Sequence, residues 1–491
     1  MIHKQTKRPI VLIALVLSMF MSAIEGTIIA TAMPDIVSDL GGFTLYSWVF
    51  SSFLLMQAVT IMIYGKLADL FGRKPVFIIG VIIFLTGSLL CGLAESMTAL
   101  IIFRLIQGLG AGAINPMVTT MVGDMYNIEE RAKVQGYLAS VWGISSVAGP
   151  LLGGMIVQYM DWAWIFWLNI PIGLIGLTGV IFFFHEKVDK EKKTIDYLGT
   201  GFFFIAISSL IIIFVQAGTN WAWMSLKTLG LIILFVICIS LFIWQEKRCT
   251  APMMALDLWK NKLMVIANIA TLLSGMITLG LTSFLPTYVQ GVMGESAIVA
   301  GFTLSTLSIG WPISSTIAGH LVLRIGFRKT AFLGGIALFA GTFLFFLLDA
   351  EKGPIYAGFS SFIVGIGMGL TSTTFIVAIQ NNVSWQVRGS ATSLNMFMRI
   401  IGSAIGTALL GGILNLRLHQ YYQLQAIDET MPDTDAVLNE GLRETIPPDI
   451  LALMQDGLAY GFHTVFFGLF LIGSLTFVIL WFFPKDVISD Q

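Results

Sequence analysis

The sequence predicts an all-α integral membrane protein with fourteen transmembrane helices, arranged as six, two and six, with two pseudo-symmetric halves. Three observations carry this prediction: long apolar segments, a repeated loop motif, and an uneven distribution of lysine and arginine. Of the 491 residues, 56% are hydrophobic and only 11% are charged, whereas soluble domains carry about 25% charged residues. We therefore expect most side chains to face lipid or neighbouring helices.

Fourteen apolar segments are each long enough to cross the roughly 30 Å hydrocarbon core of a bilayer as a helix. The first is too long for a secretory signal peptide and carries Glu25, so we expect it to be retained. The segments lie near 10–33, 46–65, 75–94, 98–122, 135–158, 165–184, 199–217, 226–244, 262–284, 297–319, 330–348, 355–378, 391–415 and 463–483.

A loop motif occurs twice in the chain. GKLADLFGRKP begins at Gly65, and a weaker copy, GHLVLRIGFRK, begins at Gly319, an offset of 254 residues (319 − 65). Internal repeats of this kind are typical of carriers that work by alternating access. Further landmarks recur at similar offsets: Pro34 with Pro286, Arg131 with Arg388, and Gly153-Gly154 with Gly411-Gly412.

The basic residues predict the orientation. Of 27 lysines and arginines, 21 lie at the two ends of the chain or in every second loop, which places these loops and both termini in the cytoplasm by the positive-inside rule. Two of the remaining basic residues, Arg104 and Arg399, lie inside predicted spans. We expect a multi-pass protein of the plasma membrane of a bacterium.

The repeat and the charged loops divide the chain into four parts. We predict a six-helix half at 1–184, a cytoplasmic linker at 185–198, two extra helices with a second linker at 199–261, and a six-helix half at 262–491. A long external segment at about 416–462 is acidic. It either concentrates cations at the mouth of the transporter or is only a solvated flap.

Several functions are disfavoured by what the sequence lacks. The cysteines Cys91, Cys238 and Cys249 lie in spans or on the cytoplasmic side, so no disulfide is expected. We find no metal-ligand cluster, no phosphate-binding loop and no Ser/His/Asp set. We expect no enzyme activity, no cofactor other than the proton as coupling ion, and no nucleic acid. The expected partners are the lipid bilayer and small lipophilic substrates, with the protein as a monomer.

Five motifs together resemble one family. They are the loop from Gly65 to Pro75; Arg104, Gln107, Gly108, Gly110 and Gly112; Gly143, Gly149, Pro150, Gly153 and Gly154; EGTIIATAMP at 25–34; and WAWIFWLNIPIG at 162–173. Over nearly its whole length, the chain resembles the fourteen-span drug:proton antiporters of the major facilitator superfamily. Three features depart from the family pattern: Glu25 in place of aspartate, Ala163 in place of arginine, and no carboxylate in 297–319, which disfavours transport of divalent cations.

Glu25 is the only carboxylate well inside a predicted span, and an ionisable group at that depth is functional by default. Its position and that of Arg104 predict similar depths in neighbouring spans. Burial favours the neutral form of a carboxyl and a nearby guanidinium favours the charged form. The pair therefore either exchanges a proton during transport or is a static ion pair that joins two helices.

The repeated loop predicts a conformational latch. Asp69 could lie at a helix N-terminus of the second half, and the resemblance implies that Arg73 bridges to Asp124. Such contacts would stabilise the outward-facing state. In the alternative interpretation, the basic residues only set the topology. The predicted latch residues are Gly65, Asp69, Gly72, Arg73, Lys74, Asp124 and Arg131.

The fifth-span glycines and Pro150 favour close helix packing and a local break in the helix; the resemblance associates this motif with antiport. Aromatic and methionine surfaces suit varied lipophilic ligands, although each such residue could equally be core or lipid-facing. The candidates for a substrate cavity are Phe53, Gln57, Gln107, Asn115, Trp142, Asn268, Trp311, Phe375, Asn395 and Arg399.

These features predict a proton-coupled secondary antiporter that exports lipophilic, cationic or zwitterionic compounds by alternating access. A dedicated exporter of tetracycline-like or siderophore-like compounds is an alternative of the same class. An importer is disfavoured by the fifth-span motif. A non-transporting receptor or scaffold would not require Glu25 at that depth.

Overall fold

A computed structural model of the chain describes residues 6–41, 45–186, 196–217, 221–249, 256–424 and 447–485. Within the described ranges, three brief 3₁₀ helices lie between α-helices, at Leu256–Lys260, Ala350–Lys352 and Trp385–Val387. The α-helices are α1 (Arg8–Leu40), α2 (Tyr46–Phe71), α3 (Arg73–Cys91), α4 (Met97–Met125), α5 (Ile128–Tyr159), α6 (Trp164–Trp167), α7 (Asn169–Phe183), α8 (Tyr197–Gln216), α9 (Leu226–Glu246), α10 (Lys262–Gly291), α11 (Ala297–Phe346), α12 (Gly353–Asn381), α13 (Arg388–Leu424) and α14 (Pro448–Trp481).

The described residues contain thirteen helical segments that are long and apolar enough to cross a membrane. One of them, α11, has 50 residues, about 75 Å of helix and more than twice the thickness of the hydrocarbon core. Its backbone leaves the helical conformation at Gly326, where φ is 83° and ψ is 168°. Because α11 holds two predicted spans, 297–319 and 330–348, the prediction of fourteen crossings agrees with the structure.

Both ends of the external segment predicted at about 416–462 are helical. Helix α13 continues to Leu424 and α14 already begins at Pro448, and the rings of Tyr421 and Tyr460 lie 5.7 Å apart. Apolarity ends where the lipid ends, whereas backbone hydrogen bonding can continue into water, so each apolar span is shorter than the helix that contains it. The middle of the segment, 425–446, and residues 187–195 of the predicted linker lie outside the described residues.

The chain forms two compact units. The first comprises the described residues of Met1–Asn268 and Phe375–Phe397, so a short stretch of the second sequence half belongs to it. Here α3 and α2 both pack on α4, and α1 packs on α5 and α7. A Cβ atom on Gly110 would overlap the backbone of Phe84 and Gly80. The glycines of α4 thus permit the close approach of α3.

The second unit comprises the described residues of Ile269–Thr374 and Met398–Gln491. Its core includes an aromatic interface between the second part of α11 and α14. The Phe470 ring of α14 lies 5.4–5.6 Å from the rings of Phe339, Phe343 and Phe346. Aromatic contacts at this spacing stabilise the pairing beyond the burial of their surface.

Gly326 should resist substitution, because its backbone conformation is accessible almost only to glycine. We expect Gly326→Ala to lower the free energy of unfolding by about 1–3 kcal/mol. The matched control is Gly301→Ala in the same helix, where an added Cβ would meet no atom within 4 Å. Thermal unfolding of both variants in detergent measures the effect; equal melting temperatures would contradict the conformational role of Gly326.

Candidate functional site

A buried ion pair lies between α1 and α4. Glu25 is fully buried and Arg104 is 2% exposed, and the guanidinium Nη1 lies 2.5 Å from Glu25 Oε1. Arg104 also donates through Nε to the carbonyl oxygen of Val49, at 3.1 Å. Its Cζ lies 4.2 Å from the centroid of the Phe53 ring. Glu25 and Arg104, which the sequence predicts at similar depths in neighbouring spans, therefore form an ion pair.

Three neutral side chains complete the hydrogen bonding of this pair. Asn169, at the start of α7, donates through Nδ2 to Glu25 Oε2 at 2.6 Å and to Ser88 Oγ at 2.9 Å. Gln107 accepts from Arg104 Nη1 at 2.7 Å and donates to Ser88 Oγ at 2.9 Å. We call Glu25, Ser88, Arg104, Gln107 and Asn169 the Glu25 cluster. It joins α1, α3, α4 and α7.

Ser88 closes the Glu25 cluster. Its hydroxyl accepts from both amides and donates to the carbonyl oxygen of Phe166 at 3.0 Å, so it uses its one donor and both acceptor sites. This contact depends on Gly87, because an added Cβ there would overlap the backbone of Gln107. Sequence reasoning missed both Ser88 and Asn169. Asn169 carried a signal, as an amide inside an apolar run, whereas Ser88 resembles every other serine in a span.

The repeated loop forms a second polar cluster at the other end of α4. Arg73 Nε lies 3.0 Å from Asp124 Oδ2, as the resemblance implied, and Arg388 Nη1 lies 2.6 Å from Asp124 Oδ1. Arg73 Nη2 lies 3.2 Å from Asp69 Oδ1, and its Cζ lies 3.8 Å from the centroid of the Trp385 ring. We call these five residues the loop cluster, all of them in the first unit.

Asp69 caps the N-terminus of α13. Its Oδ1 accepts from the backbone N–H of Gly389 at 2.8 Å, and its Oδ2 accepts from the N–H and the hydroxyl of Ser390, at 2.7 and 2.6 Å. A carboxylate at this position stabilises the positive end of the helix dipole. The structure therefore brings Asp69 to the helix terminus that the sequence analysis considered.

The remaining predicted latch residues have other contacts. Lys74 Nζ donates to the carbonyl oxygens of Ile181 and Phe184 at the end of α7, both at 2.7 Å. Arg131 Nη2 donates to the carbonyl oxygens of Gly123, at 2.5 Å, and Tyr126, at 3.2 Å, at the end of α4. Both cations therefore cap helix C-termini.

The two glycines of the repeated loop have structural roles. A Cβ on Gly65 would overlap the side chain of Ser393 in α13, and Gly72 has a φ of 95° between α2 and α3. Sequence reasoning missed Trp385 and Glu186. The Glu186 carboxylate accepts from the backbone N–H groups of Arg73 and Lys74, at 2.9 and 3.0 Å.

The fifth-span glycines pack α5 against α1, directly after Glu25. A Cβ on Gly149 would overlap Thr27, and one on Gly153 would lie 3.0 Å from the carbonyl oxygen of Ile28. A Cβ on Gly154 would lie 4.0 Å from the side chain of Thr31. The carbonyl oxygen of Gly143 accepts a hydrogen bond from Ser146 Oγ at 2.8 Å. The side chain of Pro150 lies outside the described residues. Helix α5 runs continuously through this motif, so the predicted local break in the helix is wrong.

Most of the predicted cavity residues contact other protein groups in this structure. Asn395 Nδ2 donates to Asn268 Oδ1 at 3.1 Å, and Phe53 and Gln107 contact Arg104. Asn115 donates to Ser22 Oγ at 3.4 Å, but its Oδ1 has no partner among the described residues. Five of the predicted cavity residues are at most 4% exposed: Phe53, Gln107, Asn268, Phe375 and Asn395. Gln57 and Asn115 are half-buried, and Trp142 is 46% exposed.

Two predicted cavity residues lie together in the second unit. The Arg399 Cζ atom lies 5.2 Å from the centroid of the Trp311 ring, and Trp311 Nε1 donates to Ser372 Oγ at 3.2 Å. Both side chains are half-buried. Cation–π attraction holds the guanidinium over the indole.

The comparison with protein families decides the classification. A model of the Major Facilitator Superfamily matches residues 15–407. The chain belongs to this superfamily of membrane transporters. Among curated relatives, this superfamily member is 36% identical over 414 residues to multidrug transporter protein MdtP of Bacillus subtilis (strain 168), over 84% of this chain and 76% of that protein. It is 34% identical over 473 residues to multidrug resistance protein 3 of the same organism, over 94% and 92%.

Solved structures with low identity share the fold of this superfamily member. The human organic anion transporter MFSD10 (TETRAN) gives a TM-score of 0.64 at 15% identity, over 97% of this chain and 100% of that chain. The proton:xylose symporter XylE gives 0.62 at 12% identity, over 97% and 95%. Together with the family model, these structural matches confirm the predicted all-α major facilitator fold. The family model and the two Bacillus subtilis relatives confirm the family resemblance seen in the sequence.

The Glu25–Arg104 pair should show strong energetic coupling. Arg104→Gln leaves a buried carboxyl without its partner, and breaking such a pair costs about 3–5 kcal/mol. We expect Glu25→Gln combined with Arg104→Gln to be more stable than Arg104→Gln alone, because the double variant buries no charge. Thermal unfolding of all four proteins in detergent completes the cycle. Simple addition of the two single effects would contradict the coupling.

The cap formed by Asp69 should restrain the start of α13. Asp69→Asn replaces a carboxylate oxygen by an amide that faces backbone donors, and hydrogen bonds to charged groups contribute about 1.5–3 kcal/mol. We expect amide exchange of residues 388–393 to accelerate about 10- to 100-fold. The control is Ser390→Ala, which removes only the hydroxyl bond and should have a smaller effect. Unchanged exchange in Asp69→Asn would exclude the capping role.

Proposed function

We propose that this superfamily member is a proton-coupled antiporter that exports lipophilic, cationic or zwitterionic compounds by alternating access. The observation that carries the proposal is the fully buried Glu25, paired with Arg104 and with every carboxylate oxygen in a hydrogen bond. Drug export is supported by the two Bacillus subtilis relatives, which are named as a multidrug transporter and a multidrug resistance protein. The charge pattern supports cytoplasmic termini.

The charge of the Glu25 cluster explains how protons and substrate could exclude each other. With Glu25 ionised, the carboxylate and the guanidinium sum to zero. With Glu25 protonated, the cluster carries the positive charge of Arg104 alone. A cationic compound nearby would therefore bind more weakly to the protonated state, and by linkage its binding would release the proton. This mutual exclusion is the requirement for exchange.

Asn169 and Ser88 position the carboxyl group in this scheme. Asn169 donates to Oε2 while Arg104 donates to Oε1, so both oxygens are held in place, and each keeps a further lone pair at which a proton can bind. The amide of Asn169 is itself held by Ser88. We infer that Asn169 acts as a positioning residue, because it contacts the carboxyl group and carries no charge of its own.

The decisive experiment is transport in proteoliposomes with an acidic interior. Protons leaving the vesicles should drive uptake of a fluorescent lipophilic cation such as ethidium, and an internal pH dye should report the proton flux that this cation induces. We expect Glu25→Gln to abolish both signals, because the proton site is lost. The matched control is Glu246→Gln at the end of α9, where the side chain is also buried but lies outside the cluster.

Two further results make this test specific. We expect Asn169→Ala to give a partial loss, between the wild type and Glu25→Gln, since the carboxyl remains while one donor is removed. Equal proton-driven uptake in the wild type and in a folded Glu25→Gln variant would place the coupling at another residue. Ethidium uptake that the pH gradient does not accelerate would refute proton coupling while leaving drug export in place.

A further inference from the structure

A groove of about 630 Å³ opens in the second unit, where α11 resumes after its kink and α14 ends. It lies far along the chain from the Glu25 cluster, and it includes no residue of the Glu25 cluster or of the loop cluster. The residues that line it combine three cations with an apolar surface: Arg328, Lys329, Phe332, Leu333, Trp481 and Lys485. This combination of a basic rim and an apolar wall needs a physical explanation.

The basic rim gathers charges from two separate segments. Arg328 and Lys329 belong to the second copy of the loop motif, while Lys485 follows α14. Arg328 Nη2 donates to the carbonyl oxygen of Trp481 at 3.2 Å, which fixes the guanidinium at the end of α14. The lining residues that the structure describes include no carboxylate. Three like charges at one groove repel one another unless an anion lies among them.

The apolar wall is partly exposed. The Phe332 ring lies 5.2 Å from the ring of Phe477 and 5.3 Å from that of Trp481. Leu333 is 41% exposed and Trp481 is 58% exposed, so both offer apolar surface beyond the helix pair. In a membrane protein this surface lies against acyl chains, and tryptophan at the end of a span marks the level of the headgroups.

We propose that this groove binds an anionic phospholipid of the cytoplasmic leaflet. The phosphate lies among Arg328, Lys329 and Lys485, and an acyl chain lies along Phe332, Leu333 and Trp481. Charge complementarity favours this occupant over a neutral lipid, and the apolar wall favours it over a soluble anion. A headgroup with two phosphates matches three cations better than a headgroup with one. Basic pockets at the cytoplasmic ends of spans recognise such lipids.

Bound lipid should stabilise the second unit. A phosphate that bridges Lys329 of α11 and Lys485 after α14 connects two segments distant in sequence and neutralises their repulsion. Because a ligand that binds only the folded state raises its stability in proportion to the logarithm of its concentration, the melting temperature should rise with added anionic lipid. Phosphatidylcholine, which carries no net charge, should have little effect.

The test uses the purified full chain in a neutral detergent. Native mass spectrometry would count bound cardiolipin, phosphatidylglycerol or phosphatidylcholine during a titration, and thermal unfolding would report stabilisation. The variant is Lys329→Gln with Lys485→Gln. Its matched control is Lys247→Gln with Arg248→Gln at the end of α9, where Arg248 also lies over a tryptophan, 4.1 Å from the Trp244 ring.

We expect cardiolipin to bind more tightly than phosphatidylglycerol, and the groove variant to weaken the tightest cardiolipin site by about fivefold for each charge removed. The control variant should bind as the wild type does. Trp481→Ala should weaken lipid binding as well, through the apolar wall.

Three outcomes would overturn the proposal. Equal loss in the groove variant and the control would mean that basic loops attract lipid without a site. Displacement of cardiolipin by millimolar glycerol phosphate would identify a soluble-phosphate site. Equal binding of cardiolipin and phosphatidylcholine to the wild type would show that charge plays no part; this comparison needs no variant, so a folding defect cannot obscure it.

Discussion

The rest of the first unit depends on one constraint, the burial of the carboxyl group of Glu25 and the guanidinium group of Arg104 in an apolar helix bundle. A carboxylate and a guanidinium are costly to remove from water unless each oxygen and each N–H finds a partner. Close helix packing supplies these partners. Gly87 lets α3 bring Ser88 to Gln107, Gly108 lets α4 approach the backbone of Phe53, and Gly149 lets α5 lie against α1. These three glycines thus permit the close helix packing that the ion pair requires.

Helix α4 links this pair to the loop cluster. Arg104 and Asp124 are 20 residues apart (124 − 104), roughly 30 Å along a helix, and Pro116 lies between them. The two clusters differ in their environment. Glu25 is fully buried, whereas the side chains of Asp124 and Arg388 are 12% and 17% exposed, so water partly screens the latter. A helix that carries one charge to each cluster provides a mechanical connection between the buried Glu25–Arg104 pair and the predicted cytoplasmic end.

Sequence reasoning identified the charged members of both clusters better than the neutral ones. Glu25 and Arg104 stood out because an ionisable residue inside an apolar segment is rare, and the Arg73–Asp124 bridge was implied by the family resemblance. Asn169 and Ser88 escaped because amides and hydroxyls occur throughout spans without a function. Gln107 was assigned to a substrate cavity, yet its side chain is fully buried and bonded to Arg104 and Ser88. A polar residue inside a span does not by itself reveal which neighbouring group forms its hydrogen bonds.

The sequence by itself determined the membrane class, the fourteen crossings and the repeated halves. Hydropathy and charge act within windows of about 20 residues, so these properties can be read without knowing which helices touch. Only the tertiary structure decided that Asn169 holds Glu25, that Asp69 caps α13, and that Arg328, Lys329 and Lys485 share one groove. Such contacts between residues distant in sequence depend on the rotation of each helix about its axis and on the close helix approach that glycine permits. Neither quantity is a local property of the sequence.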